Sequence, residues 1–201
     1  MLDSHMRPLI DPPLNRTGRA LAGLGMTANA MTLLGLAFGL IMAGMIAAGY
    51  GALALLPLAL GRLADGLDGA IARARGKTDF GGYLDITCDF LFYGAVPLAF
   101  VLRDPDANGV AGAFLLASFY LNGASFLGYA ILAEKRGLQT RAQGDKSLFF
   151  SAGLLEGTET IAFFALLCLW PAAFAPLAFV FGGLCCLTAL ARILLARRTF
   201  G

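Results

Sequence analysis

The 201-residue sequence predicts an all-α fold: a polytopic membrane protein of six transmembrane helices preceded by an N-terminal juxtamembrane amphipathic helix. Three observations carry this. The chain is 58% hydrophobic and 14% charged with mean hydropathy +0.74, too little polar surface to coat a soluble globule of its size. It contains several apolar runs of the roughly 20 residues that a spanning helix needs, separated by short turns. Fourteen of its fifteen basic residues fall on one side of the layout those runs impose, as expected where cytoplasmic loops collect Lys and Arg.

Residues 1–26 form the first segment. "PLIDPPLNRTGRALAGLG", from Pro8, alternates basic and apolar residues after a proline-rich start, which predicts a helix lying along the membrane surface. The membrane domain follows over residues 27–201, with spans expected at Thr27–Tyr50, Ala52–Ala74, Gly81–Leu102, Val110–Glu134, Leu148–Trp170 and Ala172–Ala196. The first of these is too long for the apolar core of a cleavable signal peptide and is expected to be retained. "YGA" near Tyr50 and "WPA" near Trp170 read as tight turns, and "RDPDANG" from Arg103 as the one polar connection on the far side. Only Arg103 lies on that side, so both termini and the connection after the second span are expected in the cytoplasm.

Several chemistries are excluded. His5 is the sole histidine, which leaves no basis for histidine catalysis or a histidine-rich metal site. Cys88, Cys168, Cys185 and Cys186 sit in apolar runs without C-x-x-C spacing and read as small buried hydrophobes. No glycine-rich P-loop is present, and no nucleic-acid partner is expected; the partners are membrane lipids and small molecules.

The chemistry concentrates in "DGLDGAIARARGKTDFGGYLD", Asp65 to Asp85, followed four residues on by Asp89. On a helix Asp65, Asp68 and Ala72 share one face, with Gly69 leaving a gap beside them. Gly81, Asp85 and Asp89 align in the same way on the next helix, so two aspartate pairs can face each other across an antiparallel pair joined by "RGKTDF". A charged carboxylate at the bilayer centre costs roughly 2.5–3.5 kcal/mol on insertion scales, so four require compensation. Arg62, Arg73 and Arg75 supply some. Divalent cations fit better, because hard ions such as Mg²⁺ or Mn²⁺ take several carboxylate oxygens. Two such ions side by side suggest phosphoryl transfer, and Arg73 adds a fork for a phosphate oxygen.

The pattern Asp65-x-x-Asp68-Gly69-x-x-Ala72-Arg73, seven residues, then Gly81-x-x-x-Asp85-x-x-x-Asp89 resembles the signature of the CDP-alcohol phosphotransferases, with all eight positions filled. "TANAMT" from Thr27 stands where relatives often have Thr-Pro-Asn-x-x-Thr, with Ala28 in place of proline. The resemblance implies transfer of a phosphatidyl-type group from a CDP-linked lipid such as CDP-diacylglycerol to an alcohol, with release of CMP. It also implies that Asp65, Asp68, Asp85 and Asp89 hold two divalent cations, that Asp89 acts as general base, and that Gly69, Ala72 and Arg73 contact the CDP moiety. A homodimer in a bacterial inner membrane, with the site facing the cytoplasm, completes the expectation.

The acceptor is sought in the later helices. Asn122, Ser125, Glu156 and Glu159 are costly polar groups in apolar runs. Two readings of the glutamates stay open: an acceptor pocket, or helix ties to Lys146, Arg192 or Arg141. Two other functions also use intramembrane carboxylates or CDP-lipid: a divalent-cation transporter and a catalytically silent CDP-lipid-binding relative.

Overall fold

A computed structural model of the chain describes residues 3–137, 155 and 157–201. The described residues form seven α-helices and no strands: α1 (Asp3–Gly23), α2 (Ala28–Ala47), α3 (Leu55–Arg75), α4 (Asp79–Arg103), α5 (Pro105–Lys135), α6 (Gly157–Leu169) and α7 (Phe174–Phe200). Among them α2, α4, α5 and the stretch Pro171–Phe200 are long and apolar enough to cross a membrane. α6 is apolar but shorter, and the expected start of its span at Leu148 lies outside the described residues. α3 has the length of a span but carries Arg62, Asp65, Asp68, Arg73 and Arg75.

The helix ends follow local chemistry. Thr27 caps α2 by accepting from Ala30 N at 3.2 Å. The expected turns at Tyr50 and Trp170 are present, each leading into a single 3₁₀ turn, Ala52–Ala54 and Pro171–Ala173. "RDPDANG" differs from the expected polar loop. Asp104 caps α5 by accepting from Ala107 N at 3.0 Å, and Pro105 sits in its first turn, where proline's missing N–H costs nothing, so the helix starts at once.

Packing runs through α2. α3 and α4 each lie along α2, α1 lies on α3, and α7 pairs with α5, which joins the rest through α4. A large core of Met42, Ile46, Phe92, Val96, Phe100, Leu115, Phe164 and Phe174 ties α2, α4, α5, α6 and α7 together. Within it Phe100 stacks on Phe174 at 4.7 Å and Phe163 on Phe181 at 4.0 Å. A smaller cluster of Met31, Ala64, Leu67 and Ile71, packed against Leu14, Leu21, Ala22 and Ala28, joins α1, α2 and α3. Large apolar side chains such as Leu33, Ile41, Leu56, Val110 and Leu187 are exposed, the pattern of a surface solvated by lipid. Three cysteines are buried and none is paired, as the apolar runs around them predict.

α2 and α3 pack backbone against backbone. A Cβ on Gly61 would lie 3.3 Å from the Gly35 carbonyl oxygen, and one on Gly35 would lie 3.4 Å from the Gly61 oxygen. Small residues at a helix interface let two backbones approach this closely. Gly61→Val is therefore expected to lower stability by about 1–3 kcal/mol through overpacking. Thermal unfolding in detergent reads this loss, and an unchanged midpoint would show that the helices can part there without cost.

Candidate active site

Two caps bring the halves of the aspartate pattern to one end of the molecule. α3 stops at Gly76, whose φ of +102° lies in the left-handed region that favours glycine. Two residues on, Thr78 caps α4 by accepting from Gly81 N at 3.0 Å. Arg75 anchors the end of α3 by donating from Nη1 to the Gly25 and Met26 carbonyls at 3.1 and 2.9 Å. Asp65 and Asp68 then lie in the last half of α3, and Asp85 and Asp89 in the first half of α4.

α3 and α4 scarcely touch each other; the carboxylates meet over α2. Oxygens of Asp65, Asp68 and Asp85 all lie within 4.8 Å of one another. Mg²⁺–oxygen bonds are about 2.0–2.1 Å and Ca²⁺–oxygen bonds about 2.3–2.6 Å, so oxygens so spaced close on one hard cation with small side-chain shifts. The donor set, all carboxylate, fits such an ion. Asp68 is 7% exposed and accepts from Thr32 Oγ1 of α2 at 2.7 Å. Asp89 stands one turn beyond Asp85 and faces Arg62, whose Nη1 lies 3.8 Å from Asp89 Oδ1 and 3.4 Å from Asp65 Oδ2. A cleft opens here, lined by Thr32, Arg62, Asp65, Asp85, Asp89 and Phe92 among others.

The other expected residues divide. Gly69 leaves open space except towards Arg73, whose Nη1 would lie 3.3 Å from an added Cβ. Arg73 is exposed and donates from Nε to Asn15 Oδ1 of α1 at 3.0 Å; Ala72 is half-buried one residue before it. Asn122 and Ser125 come together on α5, where Arg192 of α7 donates from Nη1 to Asn122 O, Asn122 Oδ1 and Ser125 Oγ at 3.0, 2.9 and 2.6 Å. The Arg192 guanidinium also lies 5.6 Å from the Phe126 ring centroid. Gly123, beside Asn122, packs against the Phe90 ring, which follows Asp89, so this group sits level with the aspartates. Glu159 is half-buried in the first turn of α6, whose Gly157 approaches the Tyr93 hydroxyl of α4. Glu156, Arg141 and Lys146 lie outside the described residues.

Comparison with known proteins adds four findings. The family model for CDP-alcohol phosphatidyltransferase matches residues 25–196. The chain is 46% identical over 193 residues to the inner membrane protein YnjF of Escherichia coli, covering 96% of this chain and 94% of that protein. It is 44% identical over 89 residues to the archaetidylinositol phosphate synthase of Pyrococcus horikoshii, 44% of this chain and 47% of that one. Among solved structures, the Mycobacterium tuberculosis phosphatidylinositol phosphate synthase PgsA1 with CDP-DAG bound shares the fold, with TM-score 0.69 and 22% identity over 90% of this chain and 91% of that one.

Two residues at the site, Thr32 and Asn15, escape the sequence pattern, whereas Arg62, expected as a partial counter-charge, precedes Asp65 by three positions and lies beside it. Thr32 closes the "TANAMT" segment, but nothing local says that it meets Asp68. Asn15, in the surface segment, carries no signal at all. Thr32→Val is expected to lower stability by about 1.5–3 kcal/mol, the worth of a hydrogen bond to a charged group, with Thr32→Ser staying close to the parent. Unfolding midpoints of the three proteins without added divalent ion measure it, and equal midpoints for Val and Thr would show that Asp68 finds another donor.

Proposed function

Because the chain belongs to the CDP-alcohol phosphatidyltransferase family, we propose that it is an integral-membrane enzyme that transfers the phosphatidyl group of a CDP-linked lipid, CDP-diacylglycerol, to an alcohol and releases CMP. The observation that carries this is the convergence of the Asp65, Asp68 and Asp85 oxygens within 4.8 Å, with Asp89 one turn further along α4. Family membership sets this reading above a cation transporter, and the intact Asp89 sets it above a silent relative.

Asp65, Asp68 and Asp85, with Asp89 beside them, would hold two divalent cations, Mg²⁺ or Mn²⁺. When bound, such ions neutralise diphosphate oxygens and stabilise the leaving phosphate. The chain's own residues do the rest. Gly69 lets the nucleotide approach the α3 backbone, Ala72 keeps that face clear, and Arg73 offers its guanidinium to a phosphate oxygen while Asn15 holds its Nε. Asp89 takes the proton of the acceptor hydroxyl as that oxygen attacks the lipid-bearing phosphorus; the bond from this phosphorus to the CMP oxygen breaks, and CMP departs. A carboxylate is a weak base, so the hydroxyl must arrive already aligned.

For the acceptor we place a phosphorylated polyol first. Arg192, held by Asn122 and Ser125, offers a cation and a hydroxyl on the α5–α7 pair. The P. horikoshii and M. tuberculosis relatives are synthases of inositol-phosphate lipids by name. Glu159, and Glu156 with it, are assigned to the polyol side of the same pocket. The full topology would be six spans over residues 27–201, with the N-terminal segment, residues 1–26, along the cytoplasmic surface of a bacterial inner membrane and the protein a homodimer. The basic residues around the α3–α4 turn support that orientation.

CMP release by purified protein, with CDP-diacylglycerol and Mg²⁺ or Mn²⁺ against a panel of free and phosphorylated alcohols, tests this. Release should depend on a phosphorylated polyol, and Asp89→Asn should lower kcat by about 10²–10⁴-fold. CDP-lipid binding without release for any acceptor would leave a silent relative; loss of both would overturn the enzyme. Arg192→Gln is expected to raise the acceptor KM about tenfold or more with the CDP-lipid KM unchanged, reflecting a lost charge-assisted contact. Equal rates with the unphosphorylated alcohol would remove Arg192 from the pocket.

A further inference from the structure

Arg62 is placed where the metal reading needs no arginine. Its guanidinium lies between Asp65 of its own helix and Asp89 of α4, at 3.4 and 3.8 Å, both longer than a well-formed charge-assisted hydrogen bond. The group packs over the Phe92 ring at 4.8 Å, and its Nε is buried without a hydrogen-bond partner. A structural salt bridge would close the fork on one carboxylate and satisfy Nε. Arg62 does neither. It is held by an aromatic face and shared loosely between two acids, one of which, Asp65, also belongs to the triad with Asp68 and Asp85.

We infer that Arg62 is a resident counter-cation of the cluster: a positioning residue that bridges Asp65 to Asp89, lets four carboxylates coexist before a divalent ion enters, and competes with that ion for Asp65. This rests on the metal-dependent transferase reading above. Two consequences follow from charge alone. Without Arg62 the metal-free protein holds four acids with no adjacent cation, so it loses stability. The incoming ion, no longer repelled by a guanidinium a few ångströms away, binds more tightly. Divalent-ion affinity is thereby set lower than the triad by itself would give, and Asp89 stays aligned beside the triad.

The test is thermal unfolding of the purified full chain in detergent, without substrates, across a titration of Mn²⁺ or Mg²⁺. Arg62→Gln should unfold at lower temperature than the parent in chelator, and its half-saturating ion concentration should fall by about tenfold, the order expected for removing one close like charge. Arg62→Lys, which keeps the charge, should return the half-saturating concentration towards the parent's. If Arg62→Gln does not fold, the double variant Arg62→Gln/Asp89→Asn should, because the cluster then has one negative charge fewer. Failure of that double variant would overturn the inference, since packing on Phe92 and not charge would be the missing contribution. An Arg62→Gln midpoint and ion dependence equal to the parent's would overturn it too. A parent protein with no divalent-ion stabilisation would sink the metal reading and this inference together, whereas parent stabilisation with an unchanged Arg62→Gln midpoint sinks this inference alone.

Discussion

The approach of α2 and α3 at Gly35 and Gly61 sets the geometry on which the site depends. α3 and α4 carry the aspartates but scarcely meet, so their separation is fixed by what each does against α2. A carbonyl oxygen 3.3–3.4 Å from where a side chain would begin makes that crossing tight. α4 is located on α2 by Phe92, a core ring that also carries Arg62 on its face. In lipid there is little hydrophobic driving force between helices, and close packing of small residues against rings takes its place.

Charge compensation is built on this frame in layers. Thr32 donates to Asp68 from α2, Arg62 sits between Asp65 and Asp89 from α3, and the converging oxygens of Asp65, Asp68 and Asp85 could hold a cation. Each partner comes from a different position along the packing path, so the cluster is balanced only in the assembled fold. Unpaired carboxylates in an apolar setting are costly enough that such balance is a condition of folding as well as of chemistry.

α1 takes part in the site. Leu14, Leu21 and Ala22 of α1 pack against the cluster of Met31, Leu67 and Ile71, and Asn15 fixes the Nε of Arg73. A segment that reads as a membrane-surface anchor thus also orients a guanidinium beside Gly69. On α5 and α7, Arg192 holds Asn122 and Ser125 together. The two arginines thus belong to separate helix pairs, α1–α3 and α5–α7.

The sequence by itself determined the all-helical class, the helices at α2, α4, α5 and α7, and the aspartates of the site. Helical periodicity is a local property: three- and four-residue spacings put Asp65 with Asp68 and Asp85 with Asp89 on common faces wherever those helices lie. It did not show that "RDPDANG" would start a helix, because a capping aspartate before a proline resembles a loop until its N–H partner is known. Only the tertiary structure decided that α2 stands beneath the two aspartate helices, that Thr32 donates a hydrogen bond to Asp68, that Arg62 turns towards Asp89, and that Arg192 captures Asn122 and Ser125. Those contacts join residues 27 to 70 positions apart, and distances between helices follow from the fit of whole surfaces, which no short stretch of sequence encodes.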